Sequence, residues 1–118
     1  MAYILAIDDN AVIREVIMFT LQYRHSVTVA TDAKEALALA EASNFDVIIT
    51  DIKMPGMDGI EFVKEIRKNK SYSSTPILML TANLKENKQK IKDSGASGWI
   101  QKPFEPEKLL ETIAEVLK

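Results

Sequence analysis

Three carboxylates and one lysine sit where short apolar runs end. Asp51 follows the run Val47-Ile48-Ile49-Thr50 and precedes Met54-Pro55-Gly56-Met57-Asp58-Gly59. A run of this kind reads as a buried strand, and Pro, Gly and Asp-Gly read as a turn. Asp8 and Asp9 follow Tyr3-Ile4-Leu5-Ala6-Ile7, and Lys102 follows Gly98-Trp99-Ile100-Gln101. Open α/β sheets bind ligands beyond the carboxyl ends of their strands. If these strands neighbour one another in one parallel sheet, three acids and one amine meet at that rim. Such a set suits a divalent cation and a phosphoryl group.

Adjacent carboxylates repel unless a cation lies between them. Mg²⁺ takes few carboxylates, keeps several waters and accepts phosphate oxygens as further ligands. The competing role for Asp8 and Asp9 is to cap the first helix, where Asp is common. Asp51 at a second strand end favours the metal. Asp51 is then either a ligand or a nucleophile, since an aspartate can attack phosphorus to form an acyl phosphate. Phosphoryl transfer asks mainly for positioning and charge neutralisation, which the cation and Lys102 would supply. Lys102 precedes Pro103, and an X-Pro bond in a tight turn can be cis, aiming the ammonium back across the sheet edge. The plainer role is a solvated lysine before a helix. Thr81 ends Pro76-Ile77-Leu78-Met79-Leu80, and its hydroxyl can donate to a phosphoryl oxygen. Trp99, the only tryptophan, lies on the next run. His25 falls in a turn far from the acids, as a solvated residue with no catalytic role.

The elements that must position these groups are legible as alternation. Apolar runs near residues 3–7, 26–30, 46–50, 76–80 and 98–101 alternate with helical patterns. The second run, Ser26-Val27-Thr28-Val29-Ala30, is the most polar and suits an edge strand. Val12, Val16, Phe19 and Tyr23 form the apolar stripe of the first helix. Ala33, Ala36, Leu37 and Ala40 form that of the second, and Ile60, Phe62, Val63 and Ile66 that of the third. Leu109, Leu110, Ile113, Val116 and Leu117 line the last. Asp32 with Glu35 reads as a cap and capping-box acid, and Asp58 as the cap of the third helix. The stretch 84–94 has few apolar residues and many lysines, so it is expected to pack lightly as an exposed, partner-facing helix. Strands separated by helices imply right-handed crossovers and a parallel sheet. The fold expected is α/β, (βα)₅ and doubly wound, in three layers.

The whole chain narrows the function. Its 118 residues form a single domain, 1–118, and bury roughly 65% of the unfolded surface. There is no cysteine, hence no disulfide, thiolate metal site or cysteine nucleophile. A net charge of -2 argues against nucleic-acid binding. No basic leader or membrane-length apolar stretch is present, so a cytoplasmic protein without a membrane partner is expected. Nothing in the pattern suggests an obligate dimer, and a monomer is expected.

Together these residues resemble a known family, the receiver domains of two-component response regulators. Within it the chain looks most like the small single-domain chemotaxis regulators (CheY-like). The motifs are Ile7-Asp8-Asp9-Asn10, Asp51-Ile52-Lys53-Met54-Pro55-Gly56-Met57-Asp58-Gly59, Thr81-Ala82 and Lys102-Pro103-Phe104, in that order. The resemblance spans Tyr3 to Lys118 and implies the strand order 2-1-3-4-5. It implies that Asp51 is the phosphoacceptor. Asp9, Asp51 and the backbone carbonyl of Lys53 would ligate Mg²⁺, with Asp8 acting through water. Thr81 and Lys102 would grip the phosphoryl oxygens, and Trp99 would be the switch aromatic. Lys53 and Asn83 occupy the positions that tune phosphate lifetime, and Lys53 is expected to lean toward the phosphoryl group or an acidic neighbour. Trp99 is larger than the usual aromatic, which restricts its inward swing. The turn Tyr23-Arg24-His25-Ser26 lacks the Gly often found there.

The mechanism this implies begins with a histidine-kinase phosphohistidine donating to Asp51 with Mg²⁺ bound. Thr81 and Lys102 close on the phosphoryl oxygens, the 84–118 face changes, and water later removes the phosphate. The chain then catalyses only its own phosphotransfer and autodephosphorylation. With no output domain expected, the signal is binding of another protein, a flagellar motor switch protein in the chemotaxis reading. The alternative is a relay or phosphate-sink receiver in another two-component pathway. A true phosphohydrolase would need a lid or second domain. A flavodoxin-like cofactor binder would want a phosphate loop where Asp8 and Asp9 stand.

Overall fold

Alternation along each strand decides how the layers form, because successive side chains leave a strand on opposite sides. A computed structural model describes Met1–Lys118 throughout. In β1 (Tyr3–Ile7), Ile4 and Ala6 enter one core with Ile17, Leu21, Leu109 and Ile113. Leu5 and Ile7 enter the other with Ala36, Phe62, Val63 and Ile91. Helices α1 (Ala11–Leu21) and α5 (Pro106–Val116) therefore cover one side of the sheet. The other side is covered by α2 (Ala33–Ala42), α3 (Gly59–Ile66) and α4 (Leu84–Ser94).

The remaining strands are β2 (Ser26–Ala30), β3 (Val47–Asp51), β4 (Ile77–Thr81) and β5 (Gly98–Gln101). All pairings are parallel, in the order β2-β1-β3-β4-β5. The expected three-layer (βα)₅ fold is thus present, with the polar β2 at an edge. The central strands β1, β3 and β4 are buried on both faces, which is why they read as unbroken apolar runs.

Three expectations need correction. β3 and β4 each lie one residue later than the apolar runs near 46–50 and 76–80, and Asp51 and Thr81, expected at strand ends, are their final residues. Backbone pairing continues past the last apolar side chain: Asp51 is in register with Leu80, and Thr81 with Gln101. The second correction concerns α1. Its inward row is Ile13, Ile17 and Leu21, whereas Val12, Phe19 and Tyr23 are 65%, 68% and 76% exposed. The helix carries two apolar rows about one residue apart, and the other row won the core. The third concerns His25, which is half-buried and accepts a hydrogen bond from the Ala2 amide at its Nδ1 (3.1 Å). Burial, then the terminal ammonium and Arg24, holds its pKa below the ordinary value.

The helix caps follow the residues that signalled them. Asp58 caps α3 in a reciprocal box with Glu61. Asp32 accepts from the Glu35 amide, while the Glu35 carboxylate reaches back one residue further, to Thr31. Helix α4 is seated by Ile91 but also by the buried polar residues Asn87 and Ser94.

Candidate functional site

The strand order brings the ends of β1, β3, β4 and β5 side by side, and each contributes one group. Asp8 lies just past β1. Its side chain is almost wholly buried, and Oδ1 accepts from the Asn10 amide (2.9 Å) while Oδ2 accepts from Lys102 Nζ (2.9 Å). The Arg14 guanidinium holds the Asp8 backbone carbonyl (2.9 Å). Neither Asp8 nor Asp9 caps α1; Asn10 does, accepting from the amides of Val12 and Ile13. That removes the competing role for the acid pair and leaves both acids available at the rim.

Asp51 is fixed by its own strand end. Its Oδ1 accepts from the Ile52 amide (2.9 Å) and lies 3.2 Å from Lys102 Nζ. No protein donor reaches Oδ2. Burial and the neighbouring charge of Asp8 push the Asp51 carboxyl above the ordinary range, against the opposing pull of Lys102. Lys102 follows β5 and precedes a cis proline bond. Burial alone would lower its pKa, but the hydrogen bond to Asp8 and the charge of Asp51 outweigh it, so the ammonium is held above its usual value. The lysine is therefore charged and shared between two carboxylates, not solvated.

The oxygens of Asp8, Asp9 and Asp51 lie within 4.8 Å of one another. Three carboxylates against one ammonium leave two negative charges at one rim. Oxygen ligands in that number and charge fit a hard divalent cation such as Mg²⁺, which would leave coordination positions for water and phosphate.

Beside Asp51 opens a small cleft of about 180 Å³, lined by Asp51, Lys53, Thr81, Asn83, Asn87 and Lys102 among others. Thr81 is 2% exposed, and its Oγ1 accepts from the amide of Asn83 (3.1 Å) and from Asn87 Nδ2 (3.1 Å). The Asn83 side chain is engaged in capping α4: Oδ1 accepts from the Glu86 amide and Nδ2 donates to Glu86 Oε2 (2.7 Å). Lys53 lines the cleft and is exposed, but it forms no ion pair with an acidic neighbour, contrary to one half of the expectation for it. Trp99 stands apart from this group, half-buried on β5, with Lys88 Nζ 5.7 Å from its ring centroid.

The chain turns sharply out of β3. The Gly59 amide donates to the Ile52 carbonyl (2.7 Å), and a Cβ at residue 59 would collide with the backbone carbonyl oxygen of Asp51. Gly56 takes a left-handed φ of 77° in the same turn, where glycine is favoured.

Asn87 and Arg14 escaped the sequence, as did the capping role of Asn10 within its motif. Asn87 hid in a lysine-rich stretch; its signal is the spacing to Asn83 and Ile91, four residues to either side on one helix face.

Residues 4–114 match the family model described as the response regulator receiver domain. A chemotaxis response regulator, CheY4 of Vibrio cholerae, is 50% identical, with a TM-score of 0.95 over 99% of each chain. The receiver domain of the sensor histidine kinase PA1611 from Pseudomonas aeruginosa is 29% identical, with a TM-score of 0.92 over 98% of this chain and 97% of that one. That structure has a magnesium ion coordinated in its active-site cleft. The transcriptional regulatory protein ResD of Bacillus subtilis is 36% identical over 98% of this chain and 48% of its own length. A probable transcriptional regulator, ycf29 of Pyropia yezoensis, is 34% identical over 99% of this chain and 54% of its own. The chain thus spans about half the length of these two regulators.

Proposed function

Since this chain belongs to the response regulator receiver domain family, we propose that it accepts a phosphoryl group on Asp51 and signals by changing which protein it binds. Receiver domains are signalling domains that take phosphate from histidine kinases and act on downstream targets. The observation that carries the assignment to Asp51 is its setting. It is the one carboxylate that joins the acid cluster, touches Lys102 and lines the cleft beside Thr81.

In this reading residues 1–118 act as one receiver unit. The kinase's phosphohistidine approaches the rim, and a carboxylate oxygen of Asp51 attacks phosphorus. As the O–P bond forms the N–P bond breaks, and its electron pair returns to the imidazole nitrogen. Oδ2, which has no protein donor, is the more available nucleophile; Oδ1 is held by Ile52 and Lys102. Asp9, Asp51 and the Lys53 backbone carbonyl would hold Mg²⁺, with Asp8 acting through water, and the ion would supply charge neutralisation for the transferring group. Lys102 leaves its shared position to meet a phosphoryl oxygen, and Thr81 donates to another. The shift of these two groups carries the signal into α4, β5 and α5, the 84–118 face. Trp99 reports it, within the limits its size sets. Lys53 and Asn83 influence how quickly water removes the phosphate.

The exposed row Val12, Phe19 and Tyr23, with the Phe19 and Tyr23 rings packed edge to face, begins three residues after the acid pair. We take it as the surface on which the donor domain rests. The high identity to the Vibrio cholerae regulator over both full chains supports a chemotaxis role, with a flagellar motor switch protein as target. A second reading, a relay or phosphate sink outside chemotaxis, is favoured by the transcriptional regulators among its relatives.

Incubation with Mg²⁺ and acetyl phosphate, followed by intact mass, tests the central claim. One phosphate adduct that is absent in Asp51→Ala is expected. No adduct, or an adduct that survives in Asp51→Ala, overturns it. Pull-down of motor switch protein by the phosphorylated chain alone separates the two pathways.

A further inference from the structure

We propose that Asn87 is a positioning residue that fixes the Thr81 hydroxyl as a donor toward the phosphoryl group, an inference that rests on the phosphoacceptor role of Asp51. Asn87 is 6% exposed, on the first turn of α4. Its Nδ2 lies 3.0 Å from the Asn83 backbone carbonyl and 3.1 Å from Thr81 Oγ1. A carbonyl only accepts, so the group facing it must be the amide nitrogen. The same nitrogen therefore donates to Thr81 Oγ1. The backbone amide of Asn83, which only donates, takes the other side of that oxygen at 3.1 Å.

A hydroxyl has one proton and room for two acceptor contacts. Both acceptor positions of Thr81 are filled, and only its proton is left to give. The partner that completes it must be an acceptor. Lys102, a donor only, does not qualify, and before phosphorylation it is held by Asp8 and Asp51. A charged phosphoryl oxygen on Asp51 does qualify. Without Asn87 the hydroxyl has a free lone pair and can turn to accept from the ammonium, which wastes both donors. With it, the cleft presents two independent donors to one anion. Because Asn87 belongs to α4, any movement of Thr81 toward the phosphoryl group also pulls on that helix.

The test is the rate of phosphate adduct formation from Mg²⁺ and acetyl phosphate, read by intact mass, in the full chain. Variants are Asn87→Ala, Asn87→Asp, Thr81→Ala and the double variant Thr81→Ala/Asn87→Ala. Losing one oriented hydrogen bond predicts a slowing of roughly three- to tenfold in Asn87→Ala. Asn87→Asp keeps the shape but accepts the hydroxyl proton, and it is expected to be slower still. The double variant should match Thr81→Ala within about twofold, because Asn87 acts only through that hydroxyl. Urea midpoints measured in parallel separate loss of fold from loss of positioning, and Asn87→Asp serves if Asn87→Ala does not fold. An unchanged or faster rate in both Asn87 variants overturns the proposal. So does equal slowing by Asn87→Ala in the parent and Thr81→Ala backgrounds, which would mark a merely structural residue. If the parent itself forms no adduct, the role of Asp51 fails first and this inference falls with it.

Discussion

Helix α1 carries two apolar rows and hides only one of them. Helix α4 carries few apolar residues, and beside Ile91 it buries an amide and a hydroxyl. Both flank the same rim. The inner row of α1, Ile13, Ile17 and Leu21, is held by burial, which is non-directional and indifferent to charge at the site. The seat of α4 is directional: the Asn83 cap, the Asn87 bonds, the Ser94 hydroxyl on the Ile91 carbonyl, and Arg67 on the Gly95 carbonyl just past its end. A hydrogen bond is lost by a shift of an ångström, whereas a buried isoleucine tolerates one. The difference teaches which helix is suited to be a fixed platform and which to respond, as the proposed switch requires. On the proposed function, α1 would suit a partner that docks in a constant pose, and α4 one that senses a change.

The comparison breaks first at Ile17. Ile17→Ala should cost roughly 2–5 kcal/mol by urea denaturation, because a fully buried side chain leaves a cavity. A loss below about 1 kcal/mol would show that α1 is not anchored by its inner row. Asn83→Ala is the matching cut in α4. Loss of the cap should cost about 1 kcal/mol, and amide hydrogen exchange should quicken in the first turn of α4 while α1 stays protected. Equal quickening in both helices would remove the distinction.

A smaller effect comes from discharging the site that α4 borders. The folded pKa of Asp51 is raised by burial and by Asp8. Its contribution to stability is therefore full below the unfolded value and is lost as pH rises through the folded one. In EDTA at neutral pH, Asp51→Asn should be more stable than the parent, with the gap closing as pH falls into the carboxylate range. Urea midpoints across that range check the sign. A variant less stable at neutral pH would mean the Lys102 pair outweighs burial. Phe19→Ser should change stability least, within about 0.5 kcal/mol, since the ring lies on the outer row. It should nonetheless slow phosphotransfer from a kinase donor domain, and an unchanged transfer rate would dismiss that row as a docking surface.

The sheet and the acid-lysine cluster were legible because each rested on residues that physics leaves little choice about. Doubly buried strands must be apolar runs, and carboxylates at their ends have few reasons to converge without a cation. The face of α1 was not legible. Ile13, Ile17 and Leu21 compete with Val12, Val16 and Phe19 on nearly equal terms, and periodicity measures the existence of a row, not which row meets the sheet. The bounds of β3 and β4 slipped by one residue because hydropathy stops one position before backbone pairing does. Asn87 was invisible for another reason. A buried amide in a lysine-rich stretch looks solvated until its acceptors are known, and those depend on where β4 ends.

The turn after β3 extends the mechanism to a position with no chemistry of its own. The start of α3 passes so near the Asp51 carbonyl that residue 59 has no space for a side chain. An alanine there would press on the backbone of Asp51, the proposed phosphoacceptor. Either β3 retreats, carrying Asp51 away from Lys102 and the acid pair, or α3 lifts from the sheet. An alanine scan would then flag Gly59 as inactivating alongside the acids and the lysine, and a survey of tolerated substitutions would mistake a spacer for a catalytic group.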